Sequence, residues 1–163
     1  TDSVEYEIAS YLNEVSKGEL SDYSKIRVRN MYRIIGEMES LGDSGEAIAR
    51  ILRRARAHGA VFDKEMLRKI NHMLDLVQFA YDAMVENLQT PIIKIKDINN
   101  AITAEYRINE CRNNLREEHL SNMEKASYKY ETGVFFMDVI NELEKQGDFI
   151  INVSESIIRA AQE

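Results

Sequence analysis

The sequence predicts an all-α fold, an antiparallel bundle of long helices, on three observations. Only one proline and seven glycines interrupt 163 residues, and these are the residues that most often end helices. Apolar side chains recur at helical rather than alternating spacing over most of the chain. Charged residues make up 30% of the sequence, which suits the solvent face of amphipathic helices.

The elements follow in order. Val4, Ile8, Tyr11, Leu12 and Val15 share one helical face and Gly18 ends it. Leu20 and Ser21 then read as the hydrophobic staple and N-cap of a second helix. Its apolar line runs through Ile26, Ile34, Ile35, Met38, Leu41, Ile48 and Leu52 to a stop near Gly59. At about 1.5 Å per residue this helix spans roughly 50 Å. Asp63 caps a third helix carrying Met66, Ile70, Met73, Leu74, Val77 and Tyr81. Thr90 and Pro91 suit the cap and first position of a fourth helix reaching about Glu117. Ser121 to Glu124 has capping-box spacing, with Leu120 as staple, and is expected to open a fifth long helix.

The chain repeats itself. "VEYEI" at 4–8 matches "AEYRI" at 104–108, and "ELSD" at 19–22 matches "HLSN" at 119–122, both at an offset of about 100 residues. "GEMESLGDSGEAI" at 36–48 and "NELEKQGDFIINV" at 141–153 match at an offset of about 105, so the second copy carries a short insertion. The expected organisation is a single domain with a partial first repeat over 1–60 and a complete three-helix repeat over 63–163. By that symmetry a helix equivalent to residues 64–88 is expected ahead of Thr1.

The repeated motif is costly. Glu39 with Asp43, and Glu144 with Asp148, place two carboxylates four residues apart on one helix face, where like charges repel by about 0.2–0.5 kcal/mol. Gly42 and Gly147 add about 0.5–1 kcal/mol relative to alanine. A bound cation would reverse the electrostatic term, and glycine lets a neighbouring helix come close; the plain alternative is a solvated acidic face beside a tight packing contact. Oxygen-only ligands suit hard or borderline ions such as magnesium, manganese or iron. If the acids act together, they are expected to turn inward on a common pocket.

Other features narrow the function. The net charge of −7 disfavours nucleic acid as a partner. No apolar run is long enough to span a membrane, and a single cysteine, Cys111, excludes an internal disulfide and reads as a small buried hydrophobe. His58, His72 and His119 lack the Glu-x-x-His spacing of carboxylate-bridged di-iron enzymes. Nucleophile elbow, phosphate loop and Cys/His zinc motif are all missing from the sequence, which reads as non-enzymatic. Arg50, Arg53, Arg54, Arg56 and His58 gather at a helix C-terminus, where cations meet the negative end of the dipole. Tyr128, Tyr130, Phe135, Phe136 and Met137 are expected in the core or an interface.

"LEKQGDFIINVSE" at 143–155 and "MESLGDSGEAIA" at 38–49 resemble the paired signature of PhoU-type domains, phosphate-uptake regulators built from two three-helix repeats. The stretch from "AEYRINECRNNLREEHLS" onward is most similar to the PhoU-like domain that follows the membrane segment of bacterial sodium/phosphate cotransporters. The resemblance covers essentially the whole chain. It implies metal ligands at Glu39, Asp43, Glu144 and Asp148, with iron or zinc clusters in some members and manganese or magnesium as further candidates; Glu5 and Glu105, which match each other in the repeat, are second-tier candidates. It also implies regulation of phosphate uptake at the cytoplasmic face of the bacterial inner membrane, with the transporter's own membrane segment or a phosphate-transport protein as partner and homo-oligomerisation compatible. Ser44 and Phe149 depart from the basic or histidine residue often found after the aspartate. The competing expectations are a free-standing PhoU-type phosphate-signalling adaptor and a carboxylate-bridged metalloenzyme.

Overall fold

The structure, a computed structural model, describes residues 2–125 and 129–162, with side chains up to Arg159. Five long helices account for nearly all of it: α1 (Asp2–Ser16), α2 (Asp22–Ala57), α3 (Lys64–Gln89), α4 (Asn99–Glu124) and α5 (Tyr130–Gln162). A short 3-10 turn, Ile92–Lys94, lies between α3 and α4. The described residues contain no strand.

The first three helices begin and end where local chemistry directs. Ser21 accepts from the Ser24 amide and Asp63 from the Met66 amide, each satisfying a donor that has no partner inside its helix. Gly59 adopts a positive φ of 68° just beyond α2, in the left-handed region that glycine enters without a side-chain clash.

Two boundaries differ from expectation. Pro91 opens only the 3-10 turn, and α4 starts at Asn99. The N-cap position is Ile98, which has no side-chain oxygen to offer; instead Asp97 accepts from the Asn99 amide at 3.0 Å and Asn100 from the Ala101 amide at 2.8 Å, so neighbouring side chains satisfy first-turn donors. The capping-box spacing at Ser121 to Glu124 does not start a helix, because α4 runs through it to Glu124. Four residues that can cap are equally able to continue a helix whose preceding turns are already packed.

Side-chain contacts fix the packing. Glu37 meets Asn152, Ser44 meets Glu142 and Arg54 lies over Phe135, so rising numbers on α2 face falling numbers on α5 and the two helices are antiparallel. Lys69 with Glu118 and Asn87 with Asn100 set α3 antiparallel to α4. Arg112 with Glu144, and Ile108 beside Gly147, set α4 antiparallel to α5. The core lies between α3, α4 and α5: Met73, Met84, Ile108, Val139, Ile140, Leu143 and Val153 are all essentially inaccessible. Ile34, Leu41, Ile48 and Ile51 of α2 pack against it from outside. Among the described elements α1 packs against α2, burying Leu12 while Val4, Ile8, Tyr11 and Val15 stay exposed.

Phe135, Phe136 and Met137 are buried as expected, whereas Tyr130 is 70% exposed at the first turn of α5 and Tyr128 lies outside the described residues. The basic cluster at the end of α2 is used structurally in part. His58 Nδ1 lies 2.8 Å from Glu131 Oε1, and the Arg54 guanidinium stands 5.9 Å from the Phe135 ring centre, tying that end to the start of α5.

Candidate carboxylate sites

The structure sorts the acids selected from sequence into two groups. Glu39 and Asp43 lie one turn apart on α2, and Glu5 and Asp2 of α1 are close enough to act on Glu39. Glu144 and Asp148 lie one turn apart on α5, with Glu105 of α4 acting on Asp148. Each group therefore combines a repeated acid pair with the matching second-tier glutamate from the preceding helix of its own repeat.

The groups do not merge into one pocket. The charges acting on Glu39 come from α1 and α2, and those acting on Asp148 come from α4 and α5. Among the described residues, no three Asp, Glu, His or Cys side chains are arranged to hold one ion. The groups do stand at the same level of the bundle. Ser44 donates to the Glu142 carbonyl at 3.1 Å and Asn152 donates to Glu37 Oε2 at 3.1 Å, and these two bonds bracket both acid pairs along the α2/α5 seam. Ser44, one of the two departures from the signature, is thus buried and holds this seam together.

Their electrostatics differ. In the first group the Glu39 carboxyl is raised above its ordinary value by repulsion from Asp43, then by burial and by Glu5. Glu5, Glu39 and Asp43 make no ion pair with a cationic side chain among the described residues. In the second group burial is the main cause raising the Asp148 carboxyl, followed by Glu144 and Glu105, while Arg112 pulls the other way. Arg112 Nη2 donates to Glu144 Oε1 at 2.7 Å, so this group already contains a cation. Asn109 donates to Glu105, leaving Asn109 Oδ1 and Arg112 Nε buried without a partner. A cleft of about 520 Å³ adjoins the group, lined by Arg112, Asn141, Glu142, Glu144 and Lys145 among others.

Sequence reasoning overlooked Arg112. The offset of 100 residues pairs it with Leu12, a charged-for-apolar exchange between matches at Ile8 with Ile108 and Asn13 with Asn113 that could have drawn attention to it. Cys111 beside it is half-buried, and burial followed by Glu110 pushes its thiol up. A thiolate ligand is therefore disfavoured there.

By donor chemistry both groups suit a hard cation, because carboxylates supply the oxygens. By arrangement, the first group offers charge without a closed set of three ligands, and the second has Arg112 hydrogen-bonded to one of its would-be ligands.

Because the folded chain holds the Asp148 proton to higher pH than the unfolded chain does, stability is expected to fall as pH rises from the ordinary value of 3.8 through the raised one. Asp148→Asn should flatten that part of the profile and raise the neutral-pH melting temperature by about 1–3 °C in chelator-treated buffer. Thermal melts of both proteins between about pH 4 and pH 7 check this, and parallel profiles would remove the repulsion from the account.

No family model matches the chain, and no curated protein or solved structure matches it.

Proposed function

We propose that this chain is a PhoU-like regulatory domain, the cytoplasmic part of a sodium/phosphate cotransporter, acting in phosphate uptake or its control without catalysing a reaction. In this reading residues 1–60 belong to one repeat and residues 63–163 to the next, the transporter's membrane segment is the partner, and the repeated acids take up a metal ion. Iron, zinc, manganese and magnesium all suit the oxygen donors. Support for the reading comes from the all-helical bundle and from the signature resemblance at 38–49 and 143–155. One observation carries it furthest: acids distant in sequence but matched in the repeat act on one another's charge in both halves, Glu5 on Glu39 beside Asp43, and Glu105 on Asp148 beside Glu144.

The physical role of the ion follows from the repulsion. Each pair of carboxylates on one face disfavours the helix bearing it, and a cation between the pair converts that repulsion into attraction. Glu39 and Asp43 would supply the first pair of ligands, with Glu5 bringing α1 along, so that binding draws α1 toward α2. Glu144 and Asp148 would supply the second pair, in competition with Arg112. Binding in either place changes how firmly a hairpin is held, which is a signal a membrane partner can read through helix contacts.

Elemental analysis of the purified protein, beside Asp43→Ala, Asp148→Ala and the double variant, tests the ligand assignment. Each single variant should lose metal with helicity unchanged by circular dichroism, and the double variant should fall by about tenfold or more. Metal content unchanged in the double variant would remove the four carboxylates as ligands. Phosphate uptake by cells carrying the double variant in the full transporter tests the regulatory role, which requires the uptake rate to change its response to external phosphate.

A further inference from the structure

We infer that the end of the bundle where α2 turns into α3 is a docking surface for an anionic lipid bilayer, met end-on through its phospholipid headgroups. The inference is independent of metal binding and of any role in phosphate uptake. Residues 47–62 hold four arginines and no acid in a chain whose net charge is −7. Other cations of the molecule are neutralised locally: Lys25 by Asp22, Arg68 by Glu65, Lys69 by Glu118, Lys145 by Glu142 and Arg159 by Glu155. Arg50, Arg53 and Arg56 are exposed and make no ion pair among the described residues, while Arg54 is engaged over the Phe135 ring. The helix dipole accounts for Arg54 and Arg56, which stand in the last turn of α2. Arg50 and Arg53 lie a turn earlier, where that effect has fallen off, and four like charges this close repel one another unless an outside anion sits among them.

Apolar side chains at the same end distinguish a bilayer from other polyanions. The antiparallel order brings the turn between α2 and α3 beside the end of α4 and the start of α5, joined there by His58 with Glu131 and Lys69 with Glu118. Around the arginines this places Leu52, Val61, Leu67, Leu120 and Tyr130, all between 44% and 78% exposed. Val61, the most exposed, is held out by a fixed turn. Gly59 takes its φ of 68°, the Ala60 amide donates to the Ala55 carbonyl at 2.9 Å, and Phe62 meets Phe136 edge-on with 6.4 Å between ring centres. A side chain presented in this way enters the headgroup region with little further ordering. Cations interleaved with aliphatic and aromatic side chains form an interfacial anchor: the apolar groups sink to the acyl boundary and the arginines stay with the phosphates. A nucleic acid would use the arginines but offers Val61 and the leucines no apolar layer to enter. Orientation follows from the acids of α2, because Glu37, Glu39, Asp43 and Glu46 occupy its middle. A negative surface therefore repels the flank of the bundle and admits its end.

Co-sedimentation of the full chain with lipid vesicles tests this. Vesicles of phosphatidylcholine with about half phosphatidylglycerol should bind the chain, and phosphatidylcholine alone should not. Raising the salt from about 0.1 M to about 1 M should release it, as the screening length falls from about 10 Å to about 3 Å. Arg53→Gln combined with Arg56→Gln should weaken binding by about 30-fold, each arginine near the surface contributing about fivefold. Arg29→Gln combined with Arg33→Gln removes the same charge toward the other end of α2 and should change binding by less than about twofold. Val61→Asn, which alters no charge, should weaken it by about threefold or more. All five side chains are already exposed, and circular dichroism confirms that the variants fold. Absence of binding to the anionic vesicles, or equal losses from the two arginine pairs, overturns the proposal. So does binding by Val61→Asn equal to that of the parent, because the cluster would then read negative charge alone, as a nucleic-acid surface does.

Discussion

Gly147→Val is expected to destabilise the chain by about 1–3 kcal/mol, the range for overpacking a filled core. A Cβ built at Gly147 would stand 2.9 Å from Ile108 Cδ1 and 3.2 Å from Ile108 Cγ2. Ile108 cannot yield freely, since it is 1% exposed and sits inside the core cluster. Gly147→Ala should show a smaller net loss, because its single methyl crowds Ile108 less than valine does and the cost is partly offset by about 0.5–1 kcal/mol of helix propensity. Gly45→Ala is the control: its Cβ would meet nothing within 4 Å, so stability should rise by about 0.5–1 kcal/mol. Urea denaturation measures all three. If Gly147→Val proves no less stable than Gly45→Ala, close approach of α4 is not why glycine stands there. The close approach also matters for the acids, because Arg112 and Glu105 reach α5 from the same turns of α4 that carry Ile108.

Arg112→Leu, which installs the residue found at the matching position 12, should cost about 1–3 kcal/mol in metal-free buffer. The Arg112 and Glu144 side chains are 25% and 17% exposed and lie 2.7 Å apart. Solvent reaches the pair, so the loss is smaller than the roughly 3–5 kcal/mol of a fully buried one. Without the guanidinium, Glu144 faces Asp148 with no opposing charge. Glu144→Gln in the Arg112→Leu background should restore part of the loss, and the double-mutant cycle gives the size of the pair interaction. Manganese added during thermal melts should raise the melting temperature of Arg112→Leu by more than that of the parent chain, because the ion no longer competes with an arginine. Equal shifts would mean that Arg112 does not compete with a cation there.

Most of the architecture was legible because long amphipathic helices repeat one signal many times. Ser21 and Asp63 were readable as caps because each stands between a break in the helical pattern and an apolar run, where its side chain has only one helix to serve. Pro91 and the Ser121 to Glu124 stretch misled for the opposite reason. Proline tolerates a 3-10 turn as well as a first helical turn, and Ser-x-x-Glu spacing is compatible with a helix interior. Tyr130 shows that an aromatic ring at the first turn of a helix can stay in water. The acid groups were half legible. Spacing along one helix pairs Glu39 with Asp43 and Glu144 with Asp148, and the repeat nominated Glu5 and Glu105, but no periodicity says which neighbouring helix will bring an arginine. Nor could sequence show that the pairs divide between two hairpins instead of sharing a pocket, since that depends on how α2 and α5 are rotated against one another.

α2 and α5 run unbroken for 36 and 33 residues, lie antiparallel, and are pinned to each other at two heights by Ser44 with Glu142 and Asn152 with Glu37. Such a pair works as a spine with a leaf hung on either side, α1 on one and the α3/α4 hairpin on the other. A tug on one leaf is not absorbed by bending, because stiff rods in continuous register slide or tilt together. Whatever tightens one leaf near the acids is thus carried along the spine to both far ends of the molecule.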